Sequence, residues 1–321
     1  MNILYIDANI FLGFYNSNRP EFKKLLNSVV EVKNKIFFTE QFKNEIDRNK
    51  LNVFKQSIDN YIKQISITDI ALPEHLDQDN SSKLKYWNTS RKELEKQIKN
   101  SNNELMKILN EILQNVSSSE DNVSKALSSL YERSVQPSTD DLIKARYRKE
   151  VGNPPGKRND PLGDQLSWEM LLNIVPKINK IWIISKDQDY YTESKDLLYL
   201  NPVLKNDLIQ LNPNIDIKVF NKLSEALRDF NNKELITSIP SKDDLDRISL
   251  SESHIENIDN LDLQILRYLS QGHGTIDIKD ILTGEDFSLS QIEKRVSKLK
   301  DIFNASNSIH LVSITKDMGI I

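Results

Sequence analysis

Ile181-Trp182-Ile183-Ile184-Ser185-Lys186-Asp187 is an apolar run that stops abruptly at a polar turn ending in an acid. Four consecutive apolar residues, three of them β-branched, read as a strand buried on both faces, the kind found inside a parallel sheet. Working outward, three more stretches have this character. Ile3-Leu4-Tyr5-Ile6 ends at Asp7-Ala8-Asn9, and Ile36-Phe37-Phe38-Thr39 runs straight into a helix over 41–50. Ile217-Lys218-Val219-Phe220 precedes a closing helix to about Asp229. Helical spacing fills the intervals, through Ile10, Phe11, Leu12 and Phe14, through Phe22, Leu25, Leu26, Val29 and Val30, and again around 203–211. Strands alternating with helices call for an α/β fold, a parallel sheet covered on both faces. Sites in such sheets form at the carboxyl ends of strands, beside the switch in strand order.

The stretch leading into the first strand quoted is Pro154-Pro155-Gly156-Lys157-Arg158-Asn159-Asp160-Pro161-Leu162-Gly163-Asp164-Gln165-Leu166-Ser167-Trp168. Its prolines and glycine end the preceding helix. A second turn places Asp164 at the mouth of an apolar helix through Leu166, Met170, Leu171 and Ile174. An acid there is either an N-cap, favoured by the helix dipole and the free first-turn amides, or one of a group. Asp7 ends the first strand and Asp187 the third, while Glu45 lies on the helix after the second, with Asp47 as its nearest rival. Four carboxylates at one edge repel one another and lose hydration unless a cation neutralises them. Oxygen donors without His or Cys point to Mg²⁺ or Mn²⁺. The plainer alternative is a set of solvated loop acids, in a chain that carries 47 Asp and Glu.

The 321 residues suffice for roughly two domains. The absence of cysteine excludes disulfides, thiolate metal sites and Cys nucleophiles, and fits a reducing, cytoplasmic setting. Neither a secretory leader nor a membrane-spanning run is visible, so no membrane partner is expected. A net charge of −4 gives no global attraction to nucleic acid, which local basic patches or a metal would have to hold. His75, His254, His273 and His310 are scattered, which argues against a histidine-built zinc site. Asn9 stands where a haloacid-dehalogenase phosphatase needs a second Asp, and only Asn2 stands where a response-regulator receiver needs its acidic pair. With no Gly-rich phosphate loop, dinucleotide fingerprint or serine elbow, a metal nuclease is favoured over a nucleotide-binding enzyme.

From about 51 to 150 the pattern changes to a helical insertion. Val53, Ile58 and Ile62 suggest one helix, and a polar loop runs from Pro73 to Lys83. Leu94, Ile98, Leu105, Leu109, Ile112 and Val116 mark a long amphipathic helix, and Val123, Ala126, Leu127 and Leu130 a second that packs back on it. The last part is basic: Lys144, Arg146, Arg148, Lys149, Lys157 and Arg158. Residues 231–258 are polar, contain Pro240 and read as a linker after a domain of residues 1–230. In 259–321, three helical patterns followed by an apolar stretch over Ile309–Ile314 and a turn near Gly319 resemble a winged helix-turn-helix. The third pattern carries Lys294, Arg295, Lys298 and Lys300, but nine acids against seven Lys and Arg favour a protein partner or self-association over DNA.

Ile6-Asp7-Ala8-Asn9-Ile10, the acid after strand two, Pro154-Pro155-Gly156 with Asp160, Gly163-Asp164 with Trp168, and Ile183-Ile184-Ser185-Lys186-Asp187 together resemble a PIN-like domain. The likeness is to the bacterial PIN-like subgroup with a PPG…D…GD…W signature, and it covers roughly residues 1–230. It implies a three-layer fold around a parallel sheet and a metal-dependent nuclease that cleaves phosphodiesters, with RNA the commonest substrate. Asp7, Glu45, Asp164 and Asp187 fall on the family's four acidic positions, Asp160 and Asp189 serve as auxiliary acids, and Asn9 as a polar helper. Lys157, Arg158 and Lys186 are the candidates for holding flanking phosphates. The long insertion between Glu45 and Asp164 departs from compact PIN domains. A catalytically idle PIN-like binding module, tethered through the C-terminal segment, is the rival reading.

Overall fold

The computed structural model describes residues 1–16, 21–62, 78–156, 161–195, 197–254, 260–282, 288–303, 305–317 and 320–321. The chain divides into two compact units, Met1–Asn49 with Ala126–Ile321, and Lys50–Lys125. The first is built on a four-stranded sheet of β1 (Asn2–Ile6), β2 (Ile36–Phe37), β3 (Lys180–Ile184) and β6 (Asp216–Phe220), in the order β2-β1-β3-β6. Every pairing is parallel, with Leu4 opposite Ile36, Ile6 opposite Ile184, and Ile184 opposite Phe220. The four apolar runs are therefore the four strands, and all five residues of β3 are buried. The chain builds outward from β1 to β2 on one side and continues to β3 on the other. The switch in strand order thus lies between β1 and β3.

Helices α1 (Ala8–Asn16), α2 (Glu21–Glu31), α3 (Glu40–Ile62), α6 (Thr139–Glu150), α7 (Gly163–Leu172), α8 (Pro202–Leu211) and α9 (Leu223–Asn231) alternate with the strands. Thr39, at the end of β2, forms a parallel bridge with Val135, and its hydroxyl caps α3 by accepting the Phe42 N–H at 3.2 Å. Helix α6 opens with a capping box of Ser138 and Asp141 and buries Ala145 and Arg148. It packs on α7, so the insertion ends earlier than its composition suggests: 50–125 is the separate unit. That unit holds α4 (Gln78–Ser117), which starts inside the stretch read as a polar loop, and the first part of α5 (Asn122–Tyr131). Val116 of the α4 stripe is buried, but Leu94, Leu105 and Ile112 are exposed.

Two expectations fail. Residues 231–254 are not a free linker, because Ile236, Leu245 and Ile248 are apolar enough to be buried. Helix α10 (Lys242–His254) packs on α9 and α2, with ion pairs Lys24–Asp244 and Arg228–Asp246 at its flanks. The C-terminal segment forms α11 (Asn260–Ser270), α12 (Thr275–Ile281), α13 (Leu289–Ile302) and α14 (Ser308–Asp317) around a core of Ile265, Leu266, Ile278, Ile292, Val296, Leu299, Phe303 and Leu311. The stretch Ile309–Ile314 is helical rather than a wing strand. Asn307 accepts the His310 N–H at 2.8 Å as a cap, and the residues buried are Leu311 and Thr315, one helical turn apart. Among the described residues of 260–321 there is no strand, and the expected turn near Gly319 lies outside them. Between β3 and α8 the structure adds an antiparallel hairpin absent from the sequence reading, β4 (Tyr191–Ser194) and β5 (Leu197–Leu200).

Candidate active site

The ladders fix the first two acids. Asp7 N–H continues the β1–β3 pairing by donating to Ile184 O at 2.9 Å, and Ser185 N–H donates to Phe220 O at 3.1 Å. Asp7 and the Ser185–Asp187 turn therefore leave the sheet side by side, at the switch point. Asp7 is almost completely buried. Its carboxylate accepts the Ala8 N–H at 2.7 Å, the Ser185 hydroxyl at 2.6 Å and the Asn9 amide at 2.9 Å. The same Asn9 amide donates to Asp187 at 3.1 Å, and Asn9 Oδ1 accepts the Lys186 N–H at 3.4 Å. Asn9 is thus a bridge that sets the spacing between two acids, and Ser185 also accepts the Asp187 N–H at 3.0 Å.

The other two acids ride on helices. Glu45 is half-buried on α3, while Asp47 is exposed. Asp164 is not the N-cap: α7 begins at Gly163 after Leu162, which makes no side-chain cap, and Asp164 sits in the first turn, where the dipole still favours it. Thr39 and Ser167 join their buried hydroxyls at 3.0 Å and so tie the start of α3 to α7. Gly163 permits this approach, since a Cβ there would lie 2.7 Å from the Gln41 side chain.

Burial pushes the Asp7 carboxyl well above the usual range. The charge of Asp164 raises it further, the Ser185 hydrogen bond opposes this, and Asp187 and Glu45 add to the rise. Glu45 is raised by burial, with Arg48 opposing and Asp187 adding. Asp164, Asp187 and Glu45 thus all act on Asp7, and Asp187 acts on Glu45 as well. Among the described residues, no three acids or histidines are drawn together at ligand spacing. The all-oxygen character and the accumulated negative charge of the four nevertheless fit a hard divalent cation. Asp189 is half-buried, and its backbone carbonyl accepts the Asn201 amide. Lys157, Arg158 and Asp160 lie outside the described residues. Lys186 is half-buried and within the field of Glu252, which accepts the Leu223 and Ser224 N–H groups at the start of α9.

Two features escaped the sequence reading. An aromatic floor lies beneath the acids. Tyr5 shares a hydrogen bond with Tyr190 at 3.2 Å and packs edge-on against Trp168 and Phe42, with ring centroids 6.0 and 5.4 Å away. Burial first, then the Asp7 charge, raises the Tyr5 hydroxyl well above its normal range. Tyr5 is two residues from Asp7 on a strand, and that period is the signal that places them on one side. The second feature is Arg148, one of the cations of the basic stretch, which is buried. It donates to Glu169 at 2.6 Å, Pro154 O at 2.8 Å and Asp207 at 2.8 Å, and Trp168 Nε1 donates to the same Asp207 at 3.1 Å. The Pro154-Pro155-Gly156 turn and Trp168 are thus fastened by one guanidinium.

A sequence model described as "PIN domain" matches residues 4–190, a segment that holds all four acids. No curated protein and no solved structure gives a significant match. Members of this family are generally nucleases and typically use divalent metals. With more than half of its residues matched around that parallel sheet, the chain belongs to the PIN domain family.

Proposed function

We propose that the protein is a Mg²⁺- or Mn²⁺-dependent endonuclease that hydrolyses phosphodiester bonds in RNA. The observation that supports this reading is the pairing of Asp7 and Asp187 at the carboxyl ends of β1 and β3 through the Asn9 amide, where burial first, and then the charges of Asp164, Asp187 and Glu45, raise the Asp7 carboxyl. A divalent ion held there supplies Lewis acidity toward a phosphate oxygen and the attacking water. The protein's part is positional. Asn9 keeps Asp7 and Asp187 at fixed spacing, the Thr39–Ser167 link keeps the helices of Glu45 and Asp164 together, and the Tyr5–Trp168–Tyr190 floor keeps water from beneath. Lys186, with Lys157 and Arg158, takes the flanking phosphates, and cleavage then weakens with rising salt.

For residues 260–321 the reading is a protein partner or a second copy of the chain. Arg295 and Lys298, two of the four cations on α13, are turned to the fully buried Asp262, at 2.7 and 3.8 Å. That leaves less positive charge for a DNA groove. The test of the enzyme is cleavage of labelled single- and double-stranded RNA and DNA with Mn²⁺ or Mg²⁺, with EDTA as control. RNA cleavage abolished by EDTA and by Asp187→Asn is expected. Nucleic-acid binding without cleavage in any metal would select the idle binding module instead.

A further inference from the structure

We infer that the β4–β5 hairpin is a platform on which the bases of a single-stranded nucleic acid stack next to the acids, an inference that rests on the nuclease reading above. The register sorts the hairpin's faces. Tyr191 pairs with Leu200, Thr192 with Tyr199, Glu193 with Leu198 and Ser194 with Leu197. Side chains alternate along each strand, so Thr192, Ser194, Leu197 and Tyr199 share one face and Glu193 lies on the other. The face with Tyr191 and Leu200 is the inner one, since both are buried. The outer face carries no charge, and its two large side chains are open: Leu197 is 60% exposed and Tyr199 55%. An alternating strand normally turns such residues inward. Here the aromatic ring and its aliphatic neighbour stand outward, about 7 Å apart by strand geometry.

Two observations identify the occupant. The hairpin is anchored to the acidic turn at both ends. Tyr190 N–H donates to Asp187 O at 3.1 Å, the Tyr191 hydroxyl donates to Lys186 O at 3.3 Å, and Asn201 N–H donates to Tyr190 O at 2.8 Å. The hairpin is therefore tied directly to the turn that carries Asp187. Lys186 at the hairpin's base and the exposed Lys195 near its tip each adjoin an acid in sequence, Asp187 and Asp196, and Glu193 lies on the other face, so it is stacking rather than charge that the outer face offers a strand. An exposed aromatic face is the kind of platform on which single strands stack without regard to sequence, and duplex bases, already stacked, gain nothing from it.

The test uses the full chain with Leu197→Ser and Tyr199→Ala together, both exposed positions outside the acid cluster. With Mn²⁺ and a single-stranded RNA or DNA oligonucleotide, KM is expected to rise about tenfold with kcat unchanged, the size of one lost base stack. Tyr199→Trp should restore or lower KM, and an oligonucleotide lacking bases beside the cleavage point should erase the difference between wild type and double variant. An unchanged KM in the double variant, while the wild type cleaves, overturns the platform and leaves the nuclease standing. An altered molar mass by light scattering with unchanged KM also overturns it, because the face is then a protein contact. A wild-type chain that neither binds nor cuts any nucleic acid overturns the nuclease reading, and the platform falls with it.

Discussion

Two groups of buried charge lie within one unit of this protein, and they are opposites. Around Arg148, one cation meets the carboxylates of Glu169 and Asp207, a backbone carbonyl and, through Asp207, an indole N–H. Around Asp7, hydroxyl and amide groups donate to one acid while three more acids press on it. In the first group one guanidinium serves two acids, each hydrogen-bonded to it, donor against acceptor. In the second, acids raise one another's carboxyls, with Ser185 opposing at Asp7 and Arg48 at Glu45. The first group fastens the Pro154 turn, α7 and α8, whereas mutually raised acids of the second kind mark a candidate functional site.

The comparison breaks first at Arg148. Arg148→Met should lower unfolding free energy by about 3–5 kcal/mol, because it strands two carboxylates that stay largely buried. Urea denaturation measures this, and a loss below about 1 kcal/mol would put Arg148 among the ordinary surface cations. Next come the acids. Asp164→Asn and Asp187→Asn should each slow RNA cleavage at least about a hundredfold, or about 2.7 kcal/mol of barrier. Without metal, the same variants should melt no lower than wild type, because each removes repulsion. Added Mg²⁺ should raise the melting temperature of wild type more than that of either variant. Full activity in both, or a clear loss of metal-free stability, would make these acids structural.

A subtler change probes how the helices converge. Gly163→Ala puts a Cβ against the Gln41 side chain, whose flexible end is able to shift. Stability should fall by no more than about 1 kcal/mol, the scale of an ordinary substitution. Cleavage should fall by a larger factor, because Asp164 moves relative to α3, and equal losses in both would remove the positioning role. The smallest effect concerns Glu31, held at about 2 by hydrogen bonds from Ser238 and Thr237. A depressed carboxyl stabilises the fold above its unfolded value near 4.3, and that contribution disappears as pH falls toward 2. Wild type and Glu31→Gln should therefore differ by a constant amount above about pH 5 and converge by pH 2. Denaturation midpoints across that range report it.

Much of the acid cluster was legible because strands write their ends into sequence: an apolar run that halts at Asp7 or at Ser185-Lys186-Asp187 places those acids without knowledge of packing. Glu45 and Asp164 were placed only through the helices that carry them, since the Thr39–Ser167 link and the Gln41–Gly163 contact that set those helices join residues more than a hundred positions apart. The role of Arg148 is hidden in the sequence for a related reason. Composition marks a cation, and only the fold says which acids it meets. Helix α14 shows local preference losing to context, as Ile309, Val312 and Ile314 favour a strand while Leu311 and Thr315 bury on a helix. Polarity and Pro240 make 231–258 read as a linker, yet within 231–254 Ile236, Leu245 and Ile248 are buried.

The Thr39–Val135 bridge has a consequence for how this chain tolerates change in length. Phe38 O accepts the Val135 N–H at 2.9 Å and Val135 O accepts the Glu40 N–H at 3.0 Å, so the chain departs and returns through one clasp. Everything between is a closed excursion whose entropy depends on its length only logarithmically, about 0.6 kcal/mol for each doubling. Segments could be spliced in or trimmed between the clasp's two sides while β1, β2 and β3 keep their register. On this view the sheet edge is the fixed stock, and the excursion beyond α3 is where a relative of different length would be expected to vary.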